Sequence, residues 1–398
     1  MASKTTITAD TLHATIRARQ AVSAMRTGLR FGAVFLLSFA VVWVGVMVVH
    51  FLGNPDGMFP STRNPSRREL AWKTRQLDRL VREGNAPSVL ILGSSRIMQV
   101  FPAQVEQLTG GKAFNFGAPG SSPMDMLAHL RFALARGAPI KSVFIGIDDQ
   151  AMFGNYENSH GTRIAMVREL FTQLPVREQI RIVLRMPAQV KPELTWQALR
   201  QAIDPPQLAS VPPGSIGIML RDDGYLIPAR QLNARRRRRW DPREDLLRQI
   251  EILRNAGDAA LLYPAGAKLS DRQVEYLRQL LKLCRKHKIR AMVVLTPVQP
   301  DYAELSLSPA DKLKVRELSV LIERLCQKRR ATYRDLSSAQ SFAAMPWEWR
   351  NLTHMLAENS RRMVNVAYGK PPEYRLDQLP DDFTLLREPT PVNSVNTP

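Results

Sequence analysis

Residues 88–96 read SVLILGSSR, four aliphatic residues from Val89 to Leu92 closed by Gly93, two serines and Arg96. A short continuous apolar run ending on glycine reads as a strand buried on both faces, because a strand with one wet face would alternate apolar and polar residues. Two further runs are built the same way, SVFIGIDD at 142–149 and IRAMVVLTPV at 289–298. Weaker strand signals lie at AFNFG (113–117) and ATYRDLS (331–337). Helical spacing stands between them. Leu70, Leu77, Leu80 and Val81 recur on one face of LAWKTRQLDRLVREG (70–84), and Val274, Leu277, Leu280, Leu281 and Cys284 on one face before the third run. Buried strands alternating with helices predict an α/β fold with a parallel sheet covered on both faces. In open sheets of this kind ligands bind beyond the carboxyl ends of the strands, where Ser95, Asp148 and the loop Asn115–Gly120 all fall.

The 398 residues allow one large domain or two ordinary ones. At 44% hydrophobic and 23% charged, the chain can bury a core, which excludes a wholly disordered protein. Cys284 and Cys326 are the only cysteines, which excludes a disulfide scaffold and a Cys-rich zinc site. Lys and Arg number 56 against 36 Asp and Glu, a formal charge of +20 that points to an anionic partner: nucleic acid, an acidic polymer or anionic lipid. The sequence holds no Walker loop, dinucleotide fingerprint or His/Asp metal cluster, so neither a cofactor nor a metal is expected.

From Phe31 to Leu52 the chain reads FGAVFLLSFAVVWVGVMVVHFL, with no Asp, Glu, Lys or Arg. At ~1.5 Å per residue a helix of this length spans the ~30 Å hydrocarbon layer. A core helix of a soluble protein would show a polar face, and a cleaved signal peptide would have a shorter apolar run followed by an A-x-A site. The expectation is an uncleaved single-pass anchor at 31–52. Arg17, Arg19, Arg26 and Arg30 precede it, and Arg63, Arg67 and Arg68 follow, so the positive-inside rule leans slightly toward a cytoplasmic segment 1–30. Within that segment residues 8–28 suit an amphipathic helix on the inner membrane face.

Residues 53–68 (GNPDGMFPSTRNPSRR) read as a linker leading into a first helix that ends near residue 84. The main domain is expected over 85–369. Between about 155 and 265 the alternation lapses, through IDPPQ, VPPG and the run Arg235–Arg239, which marks a mostly helical insertion, a lid or substrate-binding subdomain. The arginine run suits a solvated loop, or a site for an acidic polymer, phosphate or lipid head groups. The tail 370–398 is Pro-rich and polar and is expected to be loosely ordered.

Four short motifs carry the chemistry. LILGSSR places Ser95 at the end of a strand, where a serine oxygen projects from the sheet and nearby backbone N–H groups can stabilise an anion. NFGAPGSS covers Asn115 to Ser122, Gly146-Ile147-Asp148-Asp149 closes the second long run, and WRNLTHM places Asn351 three residues before His354. Block by block this set resembles the SGNH (GDSL-type) hydrolase superfamily, over roughly residues 85–155 and 270–366. It is most similar to membrane-anchored bacterial members such as alginate O-acetyltransferases and the D-alanine transfer protein of teichoic acid synthesis.

The resemblance implies a flavodoxin-like three-layer α/β/α sandwich. It makes Ser95 the nucleophile, His354 the general base and Asn351 the residue at the position of the acid, and it gives the Gly120 N–H to an oxyanion hole. The chain departs from the family at three positions. Ser94 replaces the Asp of Gly-Asp-Ser, Asp148 replaces the Asn whose amide completes the oxyanion hole, and Asn351 replaces the Asp that orients the histidine. At Asp148 three readings stay open: a protonated side chain, one turned elsewhere, or replacement by another donor such as Asn115. Asp335 or Glu348 could supply the missing carboxylate, and Trp347 and Trp349 could stack on a sugar or pack locally.

The resemblance further implies a serine acyl-transfer enzyme, an O-acetyltransferase or esterase, acting on a cell-envelope polysaccharide. It would sit in the bacterial inner membrane with its soluble domain on the periplasmic side, beside a membrane-embedded acyl-donor protein and without nucleic acid. The alternative is an accessory protein that keeps the fold, binds an anionic envelope polymer and recruits a membrane partner. Nucleic-acid binding rests on charge alone and would need the soluble part in the cytoplasm.

Overall fold

Five short stretches of the sequence become the strands of one parallel sheet. The computed structural model describes residues 23, 25–45, 68–153, 168–185, 218–220, 223, 226–228, 242–256, 263 and 267–371. The strands are β1 (Val89–Leu92), β2 (Ala113–Asn115) and β3 (Ser142–Ile147), then β6 (Arg290–Leu295) and β7 (Thr332–Asp335). A separate antiparallel hairpin, β4 (Ile218–Leu220) and β5 (Leu226–Pro228), stands between β3 and β6 in the chain. Across the sheet the order is β2-β1-β3-β6-β7, every pair parallel. The three long apolar runs take the three inner positions because an inner strand must be apolar on both faces. The short β2 and the largely exposed β7 are left for the edges. The registers Leu92↔Ile145, Ile147↔Leu295 and Leu295↔Asp335 bring the carboxyl ends of four strands to one rim.

The helices are α1 (Met25–Gly45), α2 (Arg68–Arg82), α3 (Pro102–Thr109), α4 (Pro123–Ala135), α5 (Asp149–Met152), α6 (Arg168–Phe171), α7 (Val176–Arg185) and α8 (Pro242–Ala256). They continue with α9 (Asp271–Lys286), α10 (Pro300–Ser306), α11 (Pro309–Arg329) and α12 (Ala357–Ala367). Successive strand residues feed opposite cores. Leu90, Leu92, Val143 and Ile145 join Leu77 of α2, Leu127 of α4, Leu280 of α9 and Ile322 of α11 in one cluster. Val89, Ile91 and Phe144 join Val105 of α3, Ile250 of α8 and Val364 of α12 in the other.

α9 shows how the sequence sets such a helix. The Ser270 side chain accepts the Gln273 N–H at its start, Arg285 and Lys286 face the negative end of its dipole, and Val274, Leu277, Leu280, Leu281 and Cys284 are all buried. Burying one such leucine contributes roughly 1.5–3 kcal/mol.

The stretch where the alternation lapses is partly built into these same cores. Leu170, Leu174, Ile182 and Tyr263 join the first cluster, and Leu246 and Ile250 the second. Glu178 of α7 is buried and ion-paired with Arg272 of α9, with Arg181 at 3.1 Å and with Arg177 at 3.7 Å.

α1 belongs to a separate unit of the chain. It is 21 residues long and apolar enough to cross a membrane, with Phe31, Leu37 and Val42 exposed. The helix already covers the residues from Met25 to Arg30, ahead of the apolar run, because helical hydrogen bonding does not require apolar side chains. Residues 46–52 of the expected span, the linker to residue 67, the segment up to residue 22, the Arg235–Arg239 run and the tail from 372 lie outside the described residues.

Candidate active site

Of residues 89–100 only Ser95 is not buried. Its exposure follows from how the chain leaves β1. The turn is closed by Ile97 N–H to Ser94 O at 3.1 Å, Met98 N–H to Ser95 O at 3.3 Å and Val100 N–H to Ile97 O at 2.9 Å. This is a run of tight turns, and α3 begins only at Pro102. Ile97 anchors the run by seating its side chain between two glycines. A Cβ on Gly146 would come within 2.2 Å of Ile97 Cδ1, and one on Gly93 within 2.5 Å of Ile97 Cγ1. Neither position tolerates a side chain while Ile97 stays in place.

His354 reaches Ser95 from the far end of the domain. The loop 345–356 that carries it is held by Asn359, whose side chain accepts from Met345 N–H at 2.8 Å and donates to Met345 O at 2.9 Å and Glu348 O at 3.0 Å. Arg350 N–H donates to His354 O at 2.8 Å, Gln299 N–H to Leu352 O at 3.0 Å, and Trp349 is fully buried behind. The result is a relay. His354 Nε2 lies 2.7 Å from Ser95 Oγ, and His354 Nδ1 lies 2.8 Å from Asn351 Oδ1 and 3.0 Å from Thr353 Oγ1.

The tautomer follows from the backbone. Asn351 Oδ1 accepts the N–H groups of Thr353 at 3.1 Å and His354 at 2.9 Å, so the atom facing the ring is the amide oxygen. An oxygen there accepts the Nδ1 proton, which leaves the Nε2 lone pair for the Ser95 hydroxyl. Burial, with Arg350 and Arg96 adding positive charge, pushes the His354 pKa down to about 4. The imidazole is therefore neutral at physiological pH and can act as a base.

Asp148 and Asn115 are engaged elsewhere. Asp148 accepts hydrogen bonds from Ser94 Oγ and, at 2.6 Å, from Thr296 Oγ1, and it faces Arg96 Nε at 3.6 Å. Both Asn115 N–H bonds go to main-chain carbonyls, Ile97 at 3.0 Å and Val100 at 2.8 Å, because the Asn braces the turn of residues 97–100. Neither side chain is left to meet an oxyanion. Asp335 turns back onto Ser337, and no hydrogen bond of the His354 ring goes to a carboxylate, so Asp335 and Glu348 do not supply the missing acid. The backbone N–H groups of Ser95 and Gly120 make no hydrogen bond among the described residues. Gly120 takes φ +64°, at the corner of a turn closed by Ser121 N–H to Ala118 O at 3.0 Å. That turn is laid against the serine by Ala118 N–H to Gly93 O at 3.0 Å.

No protein-family model and no curated protein matches the chain.

Several residues not picked out in the sequence complete the site. Arg96, beside Ser95, is buried and donates to Asp149 at 3.1 Å, Gln150 at 3.2 Å and Thr296 at 3.4 Å. Burial opposes its charge, but Asp148 and Asp149 outweigh that and raise its pKa. Tyr263 donates to Asp149, which with burial raises the phenol's pKa. The signal for Arg96 was a cation following directly on an apolar strand end, with two aspartates closing the next strand. Tyr263 had no signal, because it lies in the stretch where the alternation lapses. Chemically, the ensemble is a hydroxyl poised against a neutral base of fixed tautomer, with backbone donors beside it and a carboxylate-bound guanidinium beneath.

Proposed function

We propose that this protein is a membrane-anchored serine acyl-transfer enzyme of the SGNH type, with the three-layer flavodoxin-like sandwich of that superfamily. The observation that carries the reading is the Ser95–His354–Asn351 relay, with links of 2.7 and 2.8 Å between groups 259 and 3 positions apart in sequence. A structural histidine has no need to meet the one part-exposed hydroxyl of a buried strand end. In the first half-reaction Ser95 Oγ attacks the acyl carbonyl while His354 Nε2 takes its proton. The negative oxygen of the tetrahedral intermediate is received by the Ser95 and Gly120 N–H groups. His354 returns the proton to the leaving alcohol, and the acyl group stays on Ser95. In the second half-reaction an acceptor hydroxyl gives its proton to His354 and attacks the acyl-enzyme, and His354 passes that proton to Ser95 Oγ as the serine leaves. The acceptor is a hydroxyl of an envelope polysaccharide, or water in an esterase. α1 is the anchor, and the soluble domain faces the periplasm beside a membrane-embedded acyl donor.

The replacement of the oxyanion Asn by Asp148 favours a second reading, an accessory protein that keeps the fold without turnover. A removed oxyanion donor typically costs ~2.7–4 kcal/mol in the barrier. One experiment separates the two. The full chain in detergent micelles is given p-nitrophenyl acetate, and leaving-group release is followed beside acylation of Ser95 by mass spectrometry. Turnover that collapses in both Ser95→Ala and His354→Ala, with an acetyl group trapped on Ser95, is expected. A parent no faster than Ser95→Ala and never acylated refutes the enzymatic reading in favour of the accessory one.

A further inference from the structure

A fully buried lysine lies beneath the loop that carries Gly120. Lys73 of α2 has no exposed surface, and its Nζ donates to the Gly117 carbonyl at 2.6 Å. Lysine is almost never buried to this extent, because taking an ammonium group out of water is costly. Lys73 also sits on the apolar face of its helix, four residues before Leu77, where an aliphatic residue would extend the core.

Each side of the Gly117 peptide is held. Its N–H donates to Asn115 Oδ1 at 2.9 Å, and its carbonyl accepts from Lys73. The next N–H, of Ala118, is fixed to Gly93 O at 3.0 Å, and the chain then turns through Pro119 and Gly120. Below the loop, Phe116 stacks on His129 with centroids 4.4 Å apart and planes 5° apart. His129 is fully buried, and neither ring nitrogen has a hydrogen-bond partner among the described residues. Burial and the Lys73 charge push its pKa down to about 3, so it adds no second cation.

We propose that Lys73 is a positioning residue for acyl transfer, holding the Gly117 carbonyl so that the turn after it presents the Gly120 N–H to the acyl oxyanion. The inference rests on the serine acyl-transfer reading and extends it from the serine and histidine to the helix that precedes the sheet. The lysine does not touch the substrate. Its ammonium fixes one peptide, and through it the direction of the N–H groups that follow.

The test uses the full chain in detergent micelles with p-nitrophenyl acetate, comparing the parent with Lys73→Met, Lys73→Gln and Lys73→Arg. Ser95→Ala sets the background. Working serines are counted with a fluorophosphonate probe, so that kcat is expressed per reactive Ser95. Lys73→Met is expected to lower kcat per site about 10–100-fold, short of the full loss of an oxyanion donor, with KM within about threefold of the parent. Lys73→Arg, which keeps the charge, is expected to recover most of the loss. A purely structural role would lower the count of reactive serines and leave kcat per site unchanged, and that result overturns the proposal. So does a rise in KM at constant kcat. Should Lys73→Met fail to fold, Lys73→Gln, which keeps a donor without the charge, is read by the same split against Lys73→Arg. A parent no faster than Ser95→Ala sinks the acyl-transfer reading and this inference with it, whereas an active parent matched by Lys73→Met sinks this inference alone.

Discussion

Replacing Asn351 by Asp exchanges one amide group for an oxygen and puts a negative charge 2.8 Å from His354 Nδ1. The hydrogen bonds that define the relay survive, since a carboxylate oxygen accepts from Thr353 N–H and His354 N–H as the amide oxygen does. What changes is the stability of the imidazolium. Its pKa now stands at about 4, with burial and two arginines holding it down. An opposite charge at this range raises a histidine by about one to three units, roughly 1.4–4 kcal/mol. The variant should therefore titrate between about 5 and 7. Two consequences have opposite signs. At pH 8, where the ring is neutral in both proteins, stabilising the cation formed in the transition state should raise kcat by about 10-fold to 10³-fold. At pH 5 the parent's ring is still neutral while the variant's is partly or largely protonated, so the gain shrinks and the acid limb of the profile moves upward. In serine proteases the reverse exchange costs about 10⁴ because the amide leaves the wrong tautomer. Here two backbone N–H groups already turn the oxygen to the ring, so charge alone is at stake and the change should stay below that figure. The pH profile of kcat with p-nitrophenyl acetate and an NMR titration of the His354 ring are the two assays. A midpoint that stays at about 4 in the variant would show that residue 351 does not face Nδ1, and the tautomer argument would fall with it.

The other expectations concern the supports of the site and its response to acid. Arg96→Met leaves Asp148 and Asp149 without their buried partner and should cost about 3–5 kcal/mol, read as a fall in melting temperature, with Arg96→Lys recovering part; an unchanged melt would contradict the burial of this ion pair. Gly146→Ala drives a methyl into Ile97 and should cost about 1–3 kcal/mol while displacing Ser95, seen as lower stability and a drop in kcat with little change in KM. His129 and His354 are held below their ordinary value near 6.5, at about 3 and about 4, so the unfolded chain binds protons that the folded chain refuses. Stability from this source is complete above pH 6.5 and falls as the pH drops toward 4, by up to about 1.4 kcal/mol per pH unit for each histidine. Melts at pH 7 and pH 5 measure it, and His129→Phe should remove about half of the histidine share.

The sheet was legible because its inner strands are buried on both sides. That requirement writes unbroken apolar runs into the sequence, and the runs at 88–93, 142–149 and 289–298 became β1, β3 and β6. Even the weak signals at AFNFG and ATYRDLS marked β2 and β7, since a short or exposed edge strand needs fewer apolar residues. Ser95, Asn351 and His354 were found by their motifs, and the structure brings them together. Asn115 and Asp148 belonged to the same motifs but took other partners, because a motif fixes the place of a side chain and not its direction. Lys73 was within reach, as a cation on the apolar face of a helix. Its meeting with Gly117 joins residues 44 positions apart and could only come from the fold.

The side chains at positions 94, 148 and 351 make physical sense together. A carboxylate stands under the serine turn, that of Asp148, to which Ser94 donates. Arg96 balances that carboxylate at 3.6 Å, and Asp149, at 3.1 Å, completes the pair. With an amide at 351, the ring of His354 has no carboxylate hydrogen-bond partner among the described residues, and the charges of Arg350 and Arg96 act on it. Such surroundings weaken the histidine as a base, because they oppose the cation it must become. They also favour a negative oxygen beside Ser95, where the Asp148 and Asn115 side chains are engaged with other partners. In the acyl-transfer reading the two effects act on the same transition state with opposite sign. The proton is harder to take, and the oxyanion is easier to hold. A site balanced in this way gains most from acyl donors with good leaving groups, since these need little proton transfer to depart.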